Sequence, residues 1–495
     1  MNQDTGKVLK ELIGFIPAAI VPSLLGFVSV AVFSRYLPPE EYGDFTLVFT
    51  TAVLAHTFAF SWINQSIIRY YERFAPQQVG DFFSTCVTGF FILSVLVALG
   101  WLIVTAALNE QLSPRLWKLL FLGPLIVFFY SGSNMVLAFN RAMRDSVRYS
   151  LLSSINAVMK LLVALLLIYF VRKDAASILG GIILAGGIVL IPEIIRLSRR
   201  WGFRLRGCNR SMLVTFIKFG GPLVGLALSN IILSSSDRYI IAYFLDSDAV
   251  GVYSAGYKIT ETAIMFLVTF LMWASFPALV SAYEKSGDSA AVALMDDLLK
   301  IYVILIFPAM LGLTVLSEDI TGTLLDRRYF DAHKIVPWIA SGIFFMGLSF
   351  YYSKSFELRE RTLFLFALFL LAAMANILLN IILIPILGLQ GAAISTMLAY
   401  FICFLLSSTA GSRLLAWHFP FVIFLKALAA GGLMCLVVYF VPDLDNEWLS
   451  LFSKILIGFV VYTGALLVLE RDIKAKIILP FVDRRKDSLV QSRTG

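Results

Sequence analysis

Apolar positions run along this chain in long blocks of about twenty or more residues, divided by short polar knots such as FSRYLPPEEYGDFTL at 33–47. Crossing a hydrocarbon layer of ~30 Å takes a block of that length, and lipid excludes irregular backbone, so each block is predicted to be a helix. Fourteen are predicted, at about 12–34, 43–68, 82–107, 117–139, 149–171, 176–196, 215–243, 251–279, 293–316, 335–358, 362–386, 391–412, 421–441 and 448–469. The polar stretch MNQDTGKVLKE leads into the first block with no small-residue cleavage pattern behind it, so that block is read as an uncleaved helix.

The pattern also repeats. LPPEEYGDF (37–45) aligns without gaps on LDSDAVGVY (245–253), 208 residues later, as Leu-x-x-acid-x-x-Gly-x-aromatic with Gly43 and Gly251 in register. The block before each copy is predicted to be broken in the same region, by Gly14, Pro17, Pro22 and Gly26 in the first and by Gly220, Gly221, Pro222 and Gly225 in the seventh. An even number of spans per repeat starts both copies on the same side, so the repeat is parallel. The expected architecture is an all-α polytopic membrane protein with two six-helix lobes around a central cavity. The lobes are expected at 1–197 and 215–415, with a basic loop at 198–214, an appended helix pair at 416–470 and a basic tail at 471–495.

Composition supports the membrane reading: 59% of the 495 residues are hydrophobic and 15% charged, where a soluble domain of this size would be nearer ~25% charged. The net charge of +8 is better read as topology than as a nucleic-acid footprint, because of where it lies. With the N-terminus placed in the cytoplasm, cytoplasmic connections hold 23 Lys and Arg against 7 opposite, so both termini are expected to be cytoplasmic. Cys86, Cys208, Cys403 and Cys435 show neither metal-type nor disulfide-type spacing and are read as packing residues. His56, His333 and His418 are scattered and no GxxxxGK[ST] loop occurs, so an enzyme is not expected and no cofactor is assigned.

Three stretches, SRYLPPEEYGDFTLV (34–48), DRYIIAYFLDSDAVGVYSAGYKI (237–259) and NILLNIILIPILGLQGAAISTMLAY (376–400), carry a family resemblance. With the span order they resemble the polysaccharide-exporter branch of the multidrug, oligosaccharidyl-lipid and polysaccharide exporter superfamily, which includes Wzx-type O-antigen flippases. The resemblance implies a V-shaped transporter of twelve or fourteen helices. It would carry polyprenyl-diphosphate-linked oligosaccharides from the cytoplasmic to the outer leaflet of the cell membrane by alternating access. Residues 12–34 hold no charge, so they lack both the arginines of the lipid II branch and the acidic residue of the multidrug branch. The alternatives are an ion-coupled small-molecule exporter of the same superfamily and a membrane glycosyltransferase, polymerase or ligase. The expected partners are the lipid-linked oligosaccharide, membrane lipids, and polymerase and assembly proteins; nucleic acid is not expected, and the functional unit is expected to be a monomer.

Charges inside spans cost ~2.5–3.5 kcal/mol each near the centre, which makes them functional candidates. Lys300, Lys426 and Lys454 lie near span ends and are read as anchors, and Lys354 with Glu357 as a structural pair. Asp237 and Arg238 in the seventh block, and Lys258 and Glu261 in the eighth, are the leading cavity candidates. Lys258 and Glu261 are spaced to touch, whereas Asp237 and Arg238 are expected to point apart. Their counterparts in the first repeat are Ser29, Val30, Thr50 and Val53, so one cavity wall is expected to be cationic and suited to a diphosphate. Lys160, one turn after Asn156, lies mid-span and either lines the cavity or bonds to a neighbouring helix, and Asn64, Gln65 and Arg69 end the second block on the cytoplasmic side, where interfacial anchoring is preferred to meeting an entering headgroup.

Overall fold

In the computed structural model of this protein, residues 3–204 and 207–470 are described, and the predicted basic tail lies outside them. The described residues form α1 (Gln3–Tyr36), α2 (Pro39–Ala107), α3 (Pro114–Leu120), α4 (Gly123–Ala142), α5 (Ser146–Phe170), α6 (Ala175–Trp201) and α7 (Arg210–Phe244). Then come α8 (Ser247–Val315), α9 (Ser317–Leu324), a 3-10 helix (Arg327–Lys334), α10 (Val336–Leu358), α11 (Thr362–Ser412), α12 (Phe421–Tyr439) and α13 (Glu447–Leu469). No strand occurs among the described residues.

Nine of these helices, or parts of them, are long and apolar enough to cross a membrane, and up to eleven if each of two bent pairs is one span. The fourteen predicted blocks are not reached on this measure for two reasons. Three helices carry two blocks each, with the polar connection itself helical: α2 departs from helical geometry only at Gln78, α8 at Gly287 and α11 at Gly388. Of these three, α8 and α11 count once each. The first block, in turn, counts among the described residues only through Ile20–Tyr36. Gly287 (φ 76°) and Gly388 (φ 58°) turn the chain through the left-handed region, which costs a residue with a Cβ ~1–2 kcal/mol.

The expected breaks in the first and seventh spans do not occur. Pro17 and Pro22 lie inside α1 and Pro222 inside α7, and both helices continue through them. A proline removes one backbone hydrogen bond and bends a helix, but the turns on either side still propagate.

The repeat is visible in the helix ends. Tyr36 and Phe244, Pro39 and Ser247, and Ala107 and Val315 are each 208 residues apart, so α2 and α8 are both 69 residues long. The turns after α4 and α10 also match. Arg144 and Glu360 both take φ 57°, with Asp145 N donating to Asn140 O (3.1 Å) and Arg361 N to Phe356 O (2.8 Å). This is a helix-ending turn that glycine would fill most easily, closed by the same backbone bonds in both copies.

The described residues fall into two compact units, one spanning Lys7–Ser254 and the other the remainder. In the first, aromatic rings build the core: Phe82 lies 5.6 Å from Phe216 and 6.2 Å from Phe139, and Phe83 5.4 Å from Trp201, which joins α2, α4, α6 and α7. α7 belongs here because Gly220 seats against Trp62 of α2, where an added Cβ would lie 2.6 Å from the Trp62 Cβ.

In the second unit, α12 and α13 are fastened to α8 and α9. Tyr462 donates to Ile304 O (2.9 Å), and Lys454 reaches both Asp319 (3.0 Å) and Asp443 (2.6 Å). The Lys454 ammonium, hydrogen-bonded to Asp443, holds that carboxyl below its ordinary pKa of 3.8. Its stabilising share is therefore present above that pH and is lost as pH falls below it. Lys454→Met is expected to lower the thermal unfolding midpoint of the purified protein at neutral pH, and Asp443→Asn to lower it less, since Asp319 still holds the lysine. An unchanged midpoint for Lys454→Met would show that the helix pair is fastened by apolar contact alone.

Candidate functional site

The two copies of the repeated knot meet each other inside the first unit. A Cβ on Gly43 would lie 1.9 Å from Ser247 O, and a Cβ on Gly251 1.9 Å from Pro39 O. Ser247 and Pro39 are themselves 208 apart, so each glycine accommodates the partner copy's first turn in a twofold-related contact. Ser247 Oγ bonds Asp44 Oδ1 (2.7 Å), while Glu41 accepts from Ala175 N (2.8 Å) at the start of α6 instead of capping its own helix.

Gly14 serves a similar purpose, since its Cβ would lie 2.3 Å from Ser146 Oγ where α1 crosses α5. Gly221 faces open space, Pro222 is exposed, and Gly225 O accepts from Ser229 Oγ (3.0 Å) within its helix.

Asp237 and Arg238 do not point apart. Arg238 Nη1 folds back to Asp237 Oδ1 (3.0 Å) and to Ser234 O (2.7 Å), and Tyr253 donates to Asp237 Oδ2 (2.5 Å). A guanidinium on three methylenes reverses direction where a shorter side chain would keep the ~100° separation of helical neighbours. The pair is buried, with Asp237 1% exposed. Lys258 and Glu261 do touch, at 2.8 Å, on an accessible face of the second unit. Lys160 Nζ lies 5.4 Å from the Tyr130 ring centroid, and that ring also meets His56 at 5.0 Å and Phe49 at 5.8 Å, both edge-on. The buried Asn156 Oδ1 has no hydrogen-bond partner among the described residues.

Gln65 and Arg69 are brought into a cavity of about 450 Å³ in the first unit. With them it is lined by Glu72 of α2, Arg141 of α4, Arg144 in the α4–α5 turn, and the apolar Ile68, Ala142 and Phe219. Helical spacing makes this possible, since 65, 69 and 72 recur on one face of α2. Phe219 supports Arg69, whose guanidinium lies 6.0 Å from the ring centroid. Arg144 pairs with Glu72 at 2.6 Å, both side chains about two-thirds exposed. Neither Arg69 nor Arg141 pairs with an acidic side chain among the described residues. Three guanidiniums, one amide and an open mouth can receive an anion through bidentate hydrogen bonds.

Arg141 and Arg144 were not singled out from sequence, although RAMRD between two apolar blocks carried the signal. Behind the cavity, Glu193 of α6 is 1% exposed and accepts from Asn140 Nδ2 (2.8 Å), Arg148 Nη2 (2.9 Å) and Arg196 Nε (3.0 Å). It locks α4, α5 and α6 together and holds the base of the Arg141–Arg144 segment. A lone acid near the end of an apolar block was the sequence signal for it.

A probable low-salt glycan biosynthesis flippase of Haloferax volcanii, Agl15, is 22% identical over 47% of this chain and 50% of its own length. The succinoglycan biosynthesis transport protein ExoT of Rhizobium meliloti is 23% identical over 92% of this chain and 91% of its own. The chain thus spans only about half of the Haloferax relative but nearly all of the Rhizobium one. Among solved structures, the lipid II flippase MurJ in an inward closed conformation superposes with a TM-score of 0.76 at 19% identity, covering 93% of this chain and 99% of that one. An inward-facing multidrug resistance transporter of the MATE family gives 0.66 at 13% identity, over 81% and 98%. These likenesses show the fold, a multi-pass all-helical one. Residues 8–282, more than half the chain, match the polysaccharide biosynthesis proteins, and the chain belongs to that family.

Proposed function

We propose that this protein flips polyprenyl-diphosphate-linked oligosaccharide units from the cytoplasmic to the outer leaflet, and that the arginine-lined cavity receives the diphosphate before translocation. The observation that carries this reading is the convergence of Arg69, Arg141 and Arg144 with Gln65 on one open cavity of a chain that is 59% hydrophobic. A neutral drug-like substrate gives no reason for such a set, whereas a lipid diphosphate does. Flippase and polysaccharide-transport names among the relatives support it. With cytoplasmic termini, the cavity lies at the cytoplasmic end, some ~40 Å along α2 from the outer knot at Pro39.

Movement is proposed to be a rocking of the two repeats, with the protein acting as a monomer in the cytoplasmic membrane and handing its cargo to polymerase and assembly proteins. Within the second unit, the accessible Lys258 with its partner Glu261 would offer the headgroup a further contact, while the buried Arg238–Asp237 pair would hold the end of α7 in place. The test is to delete the gene and ask where lipid-linked units lie. They are expected to be trapped on the cytoplasmic leaflet; normal translocation with missing polymer linkage would point to an enzyme instead. Re-expression of Arg69→Ala or Arg141→Ala is expected to restore protein levels but about a tenth of the export or less, one charge-assisted contact being worth ~1.5–3 kcal/mol. Full export by both would remove the cavity from the mechanism.

A further inference from the structure

We propose that Glu72 is the internal counter-anion of the arginine cavity: it pairs with Arg144 while the cavity is empty, gives way to the incoming phosphate, and thereby sets how many charges the site selects. This deepens the reading of the cavity as a headgroup site and rests on it. The geometry supplies the reasons. Glu72 stands seven residues after Gln65 and three after Arg69 on the same face of α2, so its carboxylate enters the space that an anion held by these side chains would share. Its 2.6 Å bond to Arg144 joins two side chains that are 68% and 66% exposed. An ion pair so wet is weak and readily exchanged. Phosphate oxygens can engage the same guanidinium through two parallel bonds, which a displaced carboxylate cannot prevent.

Arg144 is not there to make the turn. Its left-handed backbone is shared with Glu360 in the equivalent turn after α10, and the same backbone bonds close both. Glycine would suit either position better, so the side chains are free to differ, and they differ in sign. At this turn position the first copy presents a cation beside Glu72 of its long helix, whereas the second presents an acid and pairs its long helix one residue earlier, through Arg359 and Asp288. With Glu72 in place the lining sums to two positive charges, three arginines less one glutamate. A diphosphate diester carries two negative charges, one on each phosphorus, and balances that sum. A monophosphate lipid carries one and leaves the site unbalanced.

The experiment uses the full chain in nanodiscs of zwitterionic lipid, with inorganic pyrophosphate and inorganic phosphate as probes in a calorimeter. Glu72→Gln is expected to tighten pyrophosphate about three- to ten-fold, because the competing anion is gone, and to widen the preference over the less highly charged inorganic phosphate, the lining then summing to three positive charges. In an Arg144→Ala background the same substitution is expected to change affinity less than about two-fold, since the competition runs through Arg144. Unchanged or weakened binding in Glu72→Gln overturns the proposal and assigns the residue to structure. If phosphatidylglycerol nanodiscs suppress pyrophosphate binding, the site takes bulk anionic headgroups, and selection of a diphosphate is overturned. Failure of the flippase reading is distinct: export normal in the deletion strain, with the calorimetric pattern intact, leaves Glu72 as counter-anion of a transporter for another anion.

Discussion

Valine at Gly43 or at Gly251 is expected to leave little correctly folded protein in the membrane. Each Cβ would enter within 1.9 Å of a backbone carbonyl oxygen in the opposing knot, and backbone has no rotamer to give. Overpacking against side chains costs ~1–3 kcal/mol, so a clash with main chain lies at or above the top of that range. The two helix starts can only separate, which breaks the bond between Ser247 and Asp44. Because both Cβ atoms would enter one gap between the same two segments, the alanine pair should be strongly sub-additive. Once Gly43→Ala has forced the knots apart, Gly251→Ala costs little more. Thermal unfolding of the single and double alanine variants in detergent measures this directly. Additive losses would mean that the glycines accommodate independent contacts.

Glu193→Ala should be the second most damaging substitution. The carboxylate is buried and is the shared acceptor for Asn140, Arg148 and Arg196, so its loss strands charged donors at the meeting of α4, α5 and α6. Removing one partner of a buried ion pair costs ~3–5 kcal/mol because the remaining charge stays desolvated. Arg148 and Arg196 are 39% and 27% exposed in their side chains, and water can reach them, which places the expected loss near the lower end, about 3 kcal/mol. Arg148→Ala alone should cost much less, since Arg196 still neutralises the glutamate. The readouts are the thermal midpoint and pyrophosphate affinity together. The network supports Arg141 and Arg144, so affinity should fall in Glu193→Ala even where the protein still folds. A variant that unfolds at the native midpoint would show that the three helices do not depend on the glutamate.

Helical neighbours were readable in advance. Lys258 and Glu261 touch because three residues along a helix bring side chains together whatever surrounds them. Asp237 and Arg238 were misjudged by the same rule, because spacing describes Cβ directions and says nothing of a long side chain folding back on itself. The prolines suggest breaks in α1 and α7, yet both helices run through them, and the departures from helical geometry fall in other helices, at Gln78, Gly287 and Gly388. Proline marks where a helix bends; where it ends depends on whether the polar residues beyond can stay helical in water.

The sequence by itself determined the class of molecule: long apolar blocks dictate helices in lipid, because hydrophobic length and backbone hydrogen bonding are local properties. It also determined the repeat, since two copies of one knot 208 residues apart need no structure to be seen. Only the tertiary structure decided that the two knots press glycine-first against each other, and that Arg141 and Arg144 join Gln65, Arg69 and Glu72, some seventy residues earlier in the chain, around one cavity. Such meetings depend on how helices seat ridges in grooves, and that depends on every side chain between them.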